Sequence, residues 1–288
     1  MLGSRLATSD ETVCKAFTVR KADSRKGENG VVAVIGGSRL YHGAPCLSAL
    51  AAQRVGIDLV YLAVPREISI PIRAMSPNFI VIPLPDDKLT IGCVNKLLKW
   101  LPDVDAVVLG PGSGKQKSDG MKHLIGELVS KGVKMLLDAD ALKPELITKL
   151  NDSSVITPHA GEFKRIFDIE LDKSFDSRVQ IVTDMAEKSG LTILLKGRVD
   201  IISDGKQVAL NHTGTSAMTV GGTGDVLSGV VAGLMARGAN PFEASAAGAY
   251  VNGLAGELAT KRLGFHITAT DVIDDLPHVL KKFDREIE

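Results

Sequence analysis

Seven short apolar runs, separated by stretches with helical spacing, restrict this chain to one class of fold. They are Val31–Ile35, Leu59–Val64, Phe79–Pro83, Ala106–Leu109, Met135–Asp138, Val155–Thr157 and Thr192–Leu195. Each is a nearly unbroken aliphatic run instead of an apolar–polar alternation, as expected of strands covered on both faces. Helices are predicted between most of them, over Pro45–Val55, Ile91–Trp100, Ser118–Ser130, Leu142–Leu150 and Ser177–Ser189. Strand–helix alternation gives right-handed crossovers and a mostly parallel sheet between two helical layers. After Leu195 the pattern changes. Ile201–Ser203 and Val208–Leu210 flank Asp204-Gly205, a hairpin signal, because glycine accepts the positive φ of a tight turn. Three helices are predicted beyond it, over Gly224–Ala236, Pro241–Arg262 and Thr270–Phe283. Residues 1–28 are polar except for Cys14–Val19, which suits one short helix or strand. With no internal repeat and no Pro- or Ser-rich linker, residues 1–288 are expected to form a single α/β domain, 1–28 being an N-terminal extension.

Composition narrows the partners. The 34 basic and 34 acidic residues leave no net charge, which removes the electrostatic footprint of a nucleic-acid or membrane-surface binder. Aromatics are 4 % against 29 glycines, so Val, Ile, Leu and Ala must build the core. Cys14, Cys46 and Cys93 are too few and too scattered for a disulfide framework or a metal cluster. No run approaches the roughly 18 apolar residues of a membrane span, and the N-terminus lacks a signal peptide's apolar region. The expected location is the cytoplasm.

Glycine loops follow Ile35, Leu109 and Val220: Gly36-Gly37-Ser38, Gly110-Pro111-Gly112-Ser113-Gly114 and Gly221-Gly222-Thr223-Gly224-Asp225. In an open α/β sheet, ligands sit beyond the carboxyl ends of the strands, where glycine lets the backbone approach them. Gly36-Gly37 taken alone is equally well a tight turn. Gly221–Asp225 says more, because it opens the helix Val226–Leu234. Unpaired N–H groups and the dipole at a helix N-terminus favour an anion such as phosphate. Asp225 there is either a capping carboxylate or a base placed to take a proton from a substrate hydroxyl. The loop matches neither a Walker A sequence nor a Rossmann fingerprint.

These residues carry a resemblance. Gly221-Gly222-Thr223-Gly224-Asp225, following Asn211-His212-Thr213-Gly214, resembles the anion-hole motif of the ribokinase-like superfamily. Within it the chain is similar to the ADP-dependent NAD(P)H-hydrate dehydratases. Further segments agree in order over residues 24–276: Ser24-Arg25-Lys26-Gly27, Gly36-Gly37-Ser38, Tyr41-His42-Gly43-Ala44-Pro45, Leu109-Gly110-Pro111-Gly112, Asp138-Ala139-Asp140-Ala141-Leu142, Thr157-Pro158-His159-Ala160-Gly161-Glu162, Lys196-Gly197 and Ala217-Met218-Thr219-Val220-Gly221. The resemblance implies a ribokinase-like three-layer α/β/α fold with a central, mostly parallel sheet. It also implies a repair activity. Hydrated NADH or NADPH (NADHX or NADPHX) is dehydrated at the expense of ADP, or of ATP as in eukaryotic relatives, giving AMP and phosphate from ADP. Hydroxide leaves poorly; once phosphorylated, the C6 oxygen leaves as phosphate, expelled by the ring nitrogen's lone pair.

Site roles follow from the resemblance, position by position. Asp225 is the expected base on the C6 hydroxyl. Gly222, Thr223 and Gly224 are expected to stabilise the transferring phosphoryl group through their N–H groups, as in an oxyanion hole. Lys196, Gly197, Arg198, Val199 and Asp200 match the adenine and ribose segment, although a lysine is more often solvated at the surface. Ala44, Gly112 and His159, with Asp225, match positions that touch the hydrated nicotinamide nucleotide. Ala44 is equally a packing residue of a helix start, and a lone histidine is more often structural. Mg²⁺ is the expected cofactor. Asp138 is a group that would orient it through water and Asp140 a helix cap, so neither is assigned as a direct ligand.

Relatives are often fused to an epimerase domain, for which this chain is expected to have no room; either a separate epimerase as pathway partner or spontaneous epimerisation is expected to supply the (6S) isomer. The Gly/Ala-rich helices over 224–262 suggest a homo-oligomer, with a tetramer allowed. Two rivals stand beside the dehydratase. One is a vitamin-precursor kinase of the same superfamily, of hydroxyethylthiazole or hydroxymethylpyrimidine type, which the Tyr41–Pro45 and Thr157–His159 segments disfavour because they suit a larger dinucleotide. The other is a non-catalytic nucleotide-binding module, which would have no need of the Gly224–Asp225 pair.

Overall fold

The computed structural model describes residues 5–288; residues 1–4 of the expected extension lie outside them. The extension supplies strand β1 (Arg5–Ala7), helix α1 (Asp10–Ala16) and strand β2 (Arg20–Lys21). Cys14–Val19 therefore ends one helix and leads out of it, with Val13 and Ala16 buried. Then come β3 (Val31–Ile35), α2 (Gly43–Arg54), β4 (Leu59–Pro65), α3 (Arg66–Met75), β5 (Ile80–Leu84), α4 (Ile91–Trp100), β6 (Ala106–Leu109), α5 (Ser118–Ser130) and β7 (Lys134–Leu137). They continue with α6 (Pro144–Ile147), β8 (Ser154–Ile156), α7 (Ala160–Phe167), α8 (Phe175–Ser189) and β9 (Thr192–Leu195). The hairpin β10 (Asp200–Ser203) and β11 (Val208–Asn211) precedes α9 (Thr223–Ala236), α10 (Pro241–Leu263), α11 (Ala269–Leu280) and β12 (Glu286–Ile287).

Two helices have no counterpart in the sequence reading. Helix α3 runs unbroken through Pro71, a residue that argues against a helix interior, and its strongly amphipathic pattern carries it. Helix α7 starts from His159, which is not a residue type that signals a cap. The helix expected over Leu142–Leu150 is reduced to α6 after a short 3-10 turn. Pro144 lacks an N–H, so it can only begin a helix there.

Ten strands form one sheet in the order β1-β11-β10-β9-β8-β7-β6-β3-β4-β5. All neighbours are parallel except the two pairs made by β10. Alternate residues of each strand face opposite helical layers. Val32, Val34, Leu62, Val108 and Leu136 pack with α1, α2, α9, α10 and α11. Ala33, Ile35, Val107, Leu109 and Leu137 pack with the layer of α4–α8. The fold is thus the three-layer α/β/α arrangement anticipated from the aliphatic runs. The chain reverses its direction of travel across the sheet between β3 and β6, and in open α/β sheets ligands bind beyond the strand ends at such a switch point.

The small residues of α9 and α10 serve contacts within the chain. A Cβ at Gly229 would overlap the Ser48 carbonyl of α2, and one at Gly248 would overlap Val231 of α9. This intrachain packing accounts for the Gly/Ala richness from which a partner subunit was expected. Gly229→Leu is expected to cost about 3 kcal/mol, the upper range for forcing side chain into a packed core. A fall of that size in the urea midpoint stability checks it; unchanged stability would mean that α2 and α9 are loosely packed.

Candidate active site

The glycine loops at the switch point touch each other. Gly37 N donates to the Pro111 carbonyl at 2.8 Å, and Gly36 has no room for a Cβ against the same carbonyl. A Cβ at Gly112, whose φ is 64°, would overlap the Tyr41 carbonyl and come within 3.1 Å of the Ala44 Cβ. Ala44 and Gly112, paired only by family pattern in the sequence, therefore pack directly against each other.

From that loop a chain of contacts leads along the carboxyl edge of the sheet. Gly114 N donates to Asp140 Oδ2 at 2.8 Å. Asp140 is thus tied to the glycine loop and caps no α-helix; the residue preceding α6 is Lys143. Between Asp138 and Asp140, Ala139 holds a φ of 51°, an uncommon conformation for a residue with a Cβ, and such conformations cluster at functional sites. Gly110 permits it: at φ 119° it lies against the Asp138 carbonyl and Ala141, where any side chain would collide.

Asp138 is buried, and its Oδ1 accepts from Lys196 Nζ at 2.9 Å. Glu162 Oε2 lies 3.9 Å from the same ammonium. Lys196 is therefore an enclosed cation between two acids and not a solvated surface residue. Burial pulls its pKa down, but the Asp138 and Glu162 carboxylates outweigh burial and the net shift is upward. It stays an ammonium.

His159 caps α7. Its Nδ1 accepts from Gly161 N at 3.0 Å and Glu162 N at 3.2 Å, while Glu162 Oε2 accepts from His159 N at 2.8 Å. This reciprocal box fixes the tautomer, leaving the proton on Nε2 of a ring that is 60 % exposed. Past β8 and β9 the chains stay paired, His159 beside Lys196 and Lys196 N donating to the Pro158 carbonyl at 2.8 Å. The His159 loop and the Lys196 loop are thus one rim.

Asp225 occupies the third position of α9, and Gly222, at φ 98°, is the residue that precedes the helix. The capping role considered for Asp225 therefore does not hold. Burial, and next the Asp138 carboxylate, push the Asp225 carboxyl up to about 7; Lys196 opposes the rise and Asp140 adds to it. A carboxylate with that value is poised between proton acceptor and donor near neutral pH.

Lys196, Gly197, Arg198, Asp200, Thr223 and Gly224 line a cavity of about 380 Å³, with Asn211, Thr213, Met218, Leu227 and Asn252 among its other walls. Gly222 and Val199 are not among them. A Cβ at Gly222 would overlap Leu47 and Ala269, so that glycine serves the turn into α9, and the Val199 carbonyl faces Gly197. Asp200 shapes the turn by accepting from Gly197 N at 2.9 Å and Asn211 Nδ2 at 3.0 Å. The sequence reading gave no role to Glu162, although the spacing from His159 is that of a capping box. Asn211 and Thr213, quoted only as part of the motif before the glycine loop, line the cavity, and Asn252 was missed because its approach depends on how α10 packs.

The chain compares closely with known proteins. The family described as NAD(P)H-hydrate dehydratase matches residues 32–278. The ADP-dependent (S)-NAD(P)H-hydrate dehydratase of Nitrosopumilus maritimus is 48 % identical over 284 residues, covering 98 % of this chain and 99 % of that one. The bifunctional NAD(P)H-hydrate repair enzyme of Pyrobaculum aerophilum is 46 % identical over 266 residues, covering 92 % of this chain and 53 % of that enzyme. In structure, the chain is similar to the ADP/ATP-dependent NAD(P)H-hydrate dehydratase of Bacillus subtilis co-crystallised with ATP/Mg²⁺. The TM-score is 0.82 at 24 % identity, with 98 % and 100 % of the two chains covered.

Proposed function

The chain belongs to the NAD(P)H-hydrate dehydratase family, and from that premise we propose that it converts (6S)-NADHX and NADPHX back to NADH and NADPH, using ADP and releasing AMP and phosphate. The observation that carries the reading is Asp225, held near neutral pKa at the glycine-rich start of α9 beside the Lys196 ammonium. Asp225 takes the proton of the C6 hydroxyl as its oxygen attacks the β-phosphorus of ADP. The bond to the α-phosphate oxygen breaks and AMP departs. The N–H groups of Thr223 and Gly224, with the Gly222 turn, face the charge that develops on the phosphoryl oxygens, and Lys196 adds a fixed positive charge. The ring nitrogen's lone pair then expels phosphate from C6 as C5 loses a proton, restoring the reduced nicotinamide.

The nucleotide occupies the cavity bounded by Lys196–Asp200, and the nicotinamide nucleotide lies along Ala44, Gly112 and His159. Among the described residues no group of three or more His, Cys, Asp or Glu is placed to hold a metal unaided. Asp138 and Glu162 would orient through water a Mg²⁺ ion brought in with the diphosphate, and the ion would supply positive charge to the transferring phosphoryl group. Three free cysteines support a reducing, cytoplasmic setting, and no helix among the described residues is long and apolar enough to cross a membrane. In the same reading the chain acts as one catalytic domain on the (6S) form.

Incubation with NADHX, Mg²⁺ and ADP is expected to restore the reduced-nicotinamide absorbance with one AMP released per turnover. A vitamin-precursor kinase would instead phosphorylate a small alcohol and leave NADHX untouched. Ligand stabilisation separates the two readings a second way. NADPH resembles the product, so at 100 times its Kd it should stabilise the native state by about 2.7 kcal/mol. His159→Asn keeps an acceptor for the α7 cap while removing the ring, and is expected to shrink the NADPH shift and leave the ADP shift intact. A protein stabilised by ADP but indifferent to millimolar NADPH would point to the kinase.

A further inference from the structure

A line of polar contacts runs from the N-terminal extension across two further strands to the Lys196–Asp200 turn. Strand β1 pairs in parallel with β11, Ala7 opposite Leu210, and Thr8 N donates to the Leu210 carbonyl at 3.0 Å. That pairing sets the Thr8 hydroxyl beside the next residue of β11, and Thr8 Oγ1 donates to Asn211 Oδ1 at 2.9 Å. On its other side β11 pairs with β10, Asn211 opposite Asp200, and Asn211 Nδ2 donates to Asp200 Oδ2 at 3.0 Å. Asp200 Oδ1 accepts from Gly197 N at 2.9 Å. Gly197, Asp200 and Asn211 border the cavity, and Thr8 stands outside it.

Asn211 is the pivot of this line. It is 1 % exposed, so its amide depends on partners within the protein. The Thr8 and Thr213 hydroxyls face its oxygen, while the Asp200 carboxylate and the Ala249 carbonyl face its nitrogen. Thr213 Oγ1 lies 2.8 Å from Asn211 Oδ1 and 3.1 Å from the Tyr250 carbonyl, and a hydroxyl has one proton to give. Thr8 is thus the donor that keeps the amide oxygen in place when Thr213 turns to Tyr250. A reversed amide would set Oδ1 against the Asp200 carboxylate and release the group that holds Gly197. Burial pushes the Asp200 carboxyl up, and the hydrogen bonds from Asn211 and Gly197 oppose the rise. The extension is itself anchored, because Asp10 accepts from Lys282 Nζ at 2.7 Å and from the Tyr250 hydroxyl at 3.2 Å.

We propose that Thr8 is a positioning residue for the nucleotide: its hydroxyl orients the Asn211 amide, which through Asp200 holds the Lys196–Asp200 turn in the shape that receives ADP. The extension is then a working part of the nucleotide site, although it touches no ligand. Thr8 is remote from Asp225 and from the Ala44, Gly112 and His159 end of the site, so its effect falls on ADP binding alone. The proposal rests on the reading of this cavity as the ADP site.

Calorimetric titration with ADP and steady-state kinetics on NADHX, for the wild type, Thr8→Val and Thr8→Ser, test it. Valine keeps the shape and removes the hydroxyl; serine keeps the hydroxyl. Thr8→Val is expected to raise the Kd and the KM for ADP about fivefold, the worth of one hydrogen bond. Its kcat is expected to stay within about twofold of wild type and its thermal shift with NADPH to be unchanged. Thr8→Ser is expected to restore ADP binding. Thr8→Ala adds no bulk and gives the same readout as valine if valine does not fit. A valine or alanine variant that melts earlier but keeps wild-type ADP affinity overturns the assignment and leaves the ADP site standing. Equal weakening of ADP and NADPH also overturns it, as does a serine variant no better than valine, since a merely structural threonine gives those results. ADP affinity that survives Gly224→Val removes the nucleotide from this cavity and the role of Thr8 with it.

Discussion

Asp225→Asn is expected to lower turnover by on the order of 10² to 10⁴, the usual contribution of a general base, while ADP still binds. Asparagine has nearly the same shape and cannot accept the proton. In the wild type, kcat/KM should rise with pH through an apparent value near 7, where burial and the Asp138 carboxylate have brought the Asp225 carboxyl. The same substitution should affect stability in the opposite sense. Because the folded-state pKa is raised from 3.8 to about 7, the native chain binds this proton more tightly than the unfolded chain does. Stability from this group is full below about pH 4 and is lost as pH rises towards 7. Asp225→Asn removes that loss, so the variant should exceed the wild type at pH 8 by about 1–3 kcal/mol after allowance for solvent reaching the carboxyl. The gap should close towards pH 4. A variant that is active, or that is less stable than wild type at pH 8, would contradict the assignment.

Gly224→Val is expected to weaken ADP binding about 100-fold, near 2.7 kcal/mol, in a protein that stays folded. Gly224 does not hold a positive φ; that conformation belongs to Gly222. A Cβ at 224 would meet Lys196 Nζ at 3.5 Å, an ordinary contact, so the helix tolerates it. The valine methyls instead occupy the space before the helix N-terminus that the phosphate needs. A substitution at Gly222 would give an ambiguous answer, because a side chain there collides with Leu47 and Ala269 and destabilises the turn itself. Calorimetry on Gly224→Val showing unchanged ADP affinity, with an unchanged melting temperature, would move the anion site elsewhere.

Lys196 shows how far one residue's role can differ from its usual fate. In the sequence it is a lysine at the end of an aliphatic strand, and surface exposure is the common outcome for that residue type. The strand order sets β9 beside β8 and β8 beside β7, so the residues leaving those strands, Lys196, the His159 loop and Asp138, end on one rim. Two acids drawn from positions 138 and 162 then hold one ammonium, and beyond the effect of burial Asp138 raises and Lys196 lowers the proton affinity of Asp225, which comes from a helix after the hairpin.

Local information settled a good part of this protein. Val31–Ile35, Ala106–Leu109 and Thr192–Leu195 are strands with the boundaries read from their aliphatic runs, because a strand covered on both faces leaves that composition behind. The Asp204-Gly205 hairpin and the glycine loop before α9 follow in the same way from the φ values that only glycine accepts readily. The family pattern then pointed to Asp225 as the proposed base. What only the tertiary structure decided is whatever depends on residues far apart in sequence: Ala44 against Gly112, Asp138 and Glu162 around Lys196, and Asn252 in the wall of the cavity. A pKa, a buried ion pair or a buried amide is a property of the distances between such groups and of the water excluded from them. Nearest neighbours in sequence carry neither, so these features exist only once ten strands have set their order and α10 has closed over the 213–218 loop.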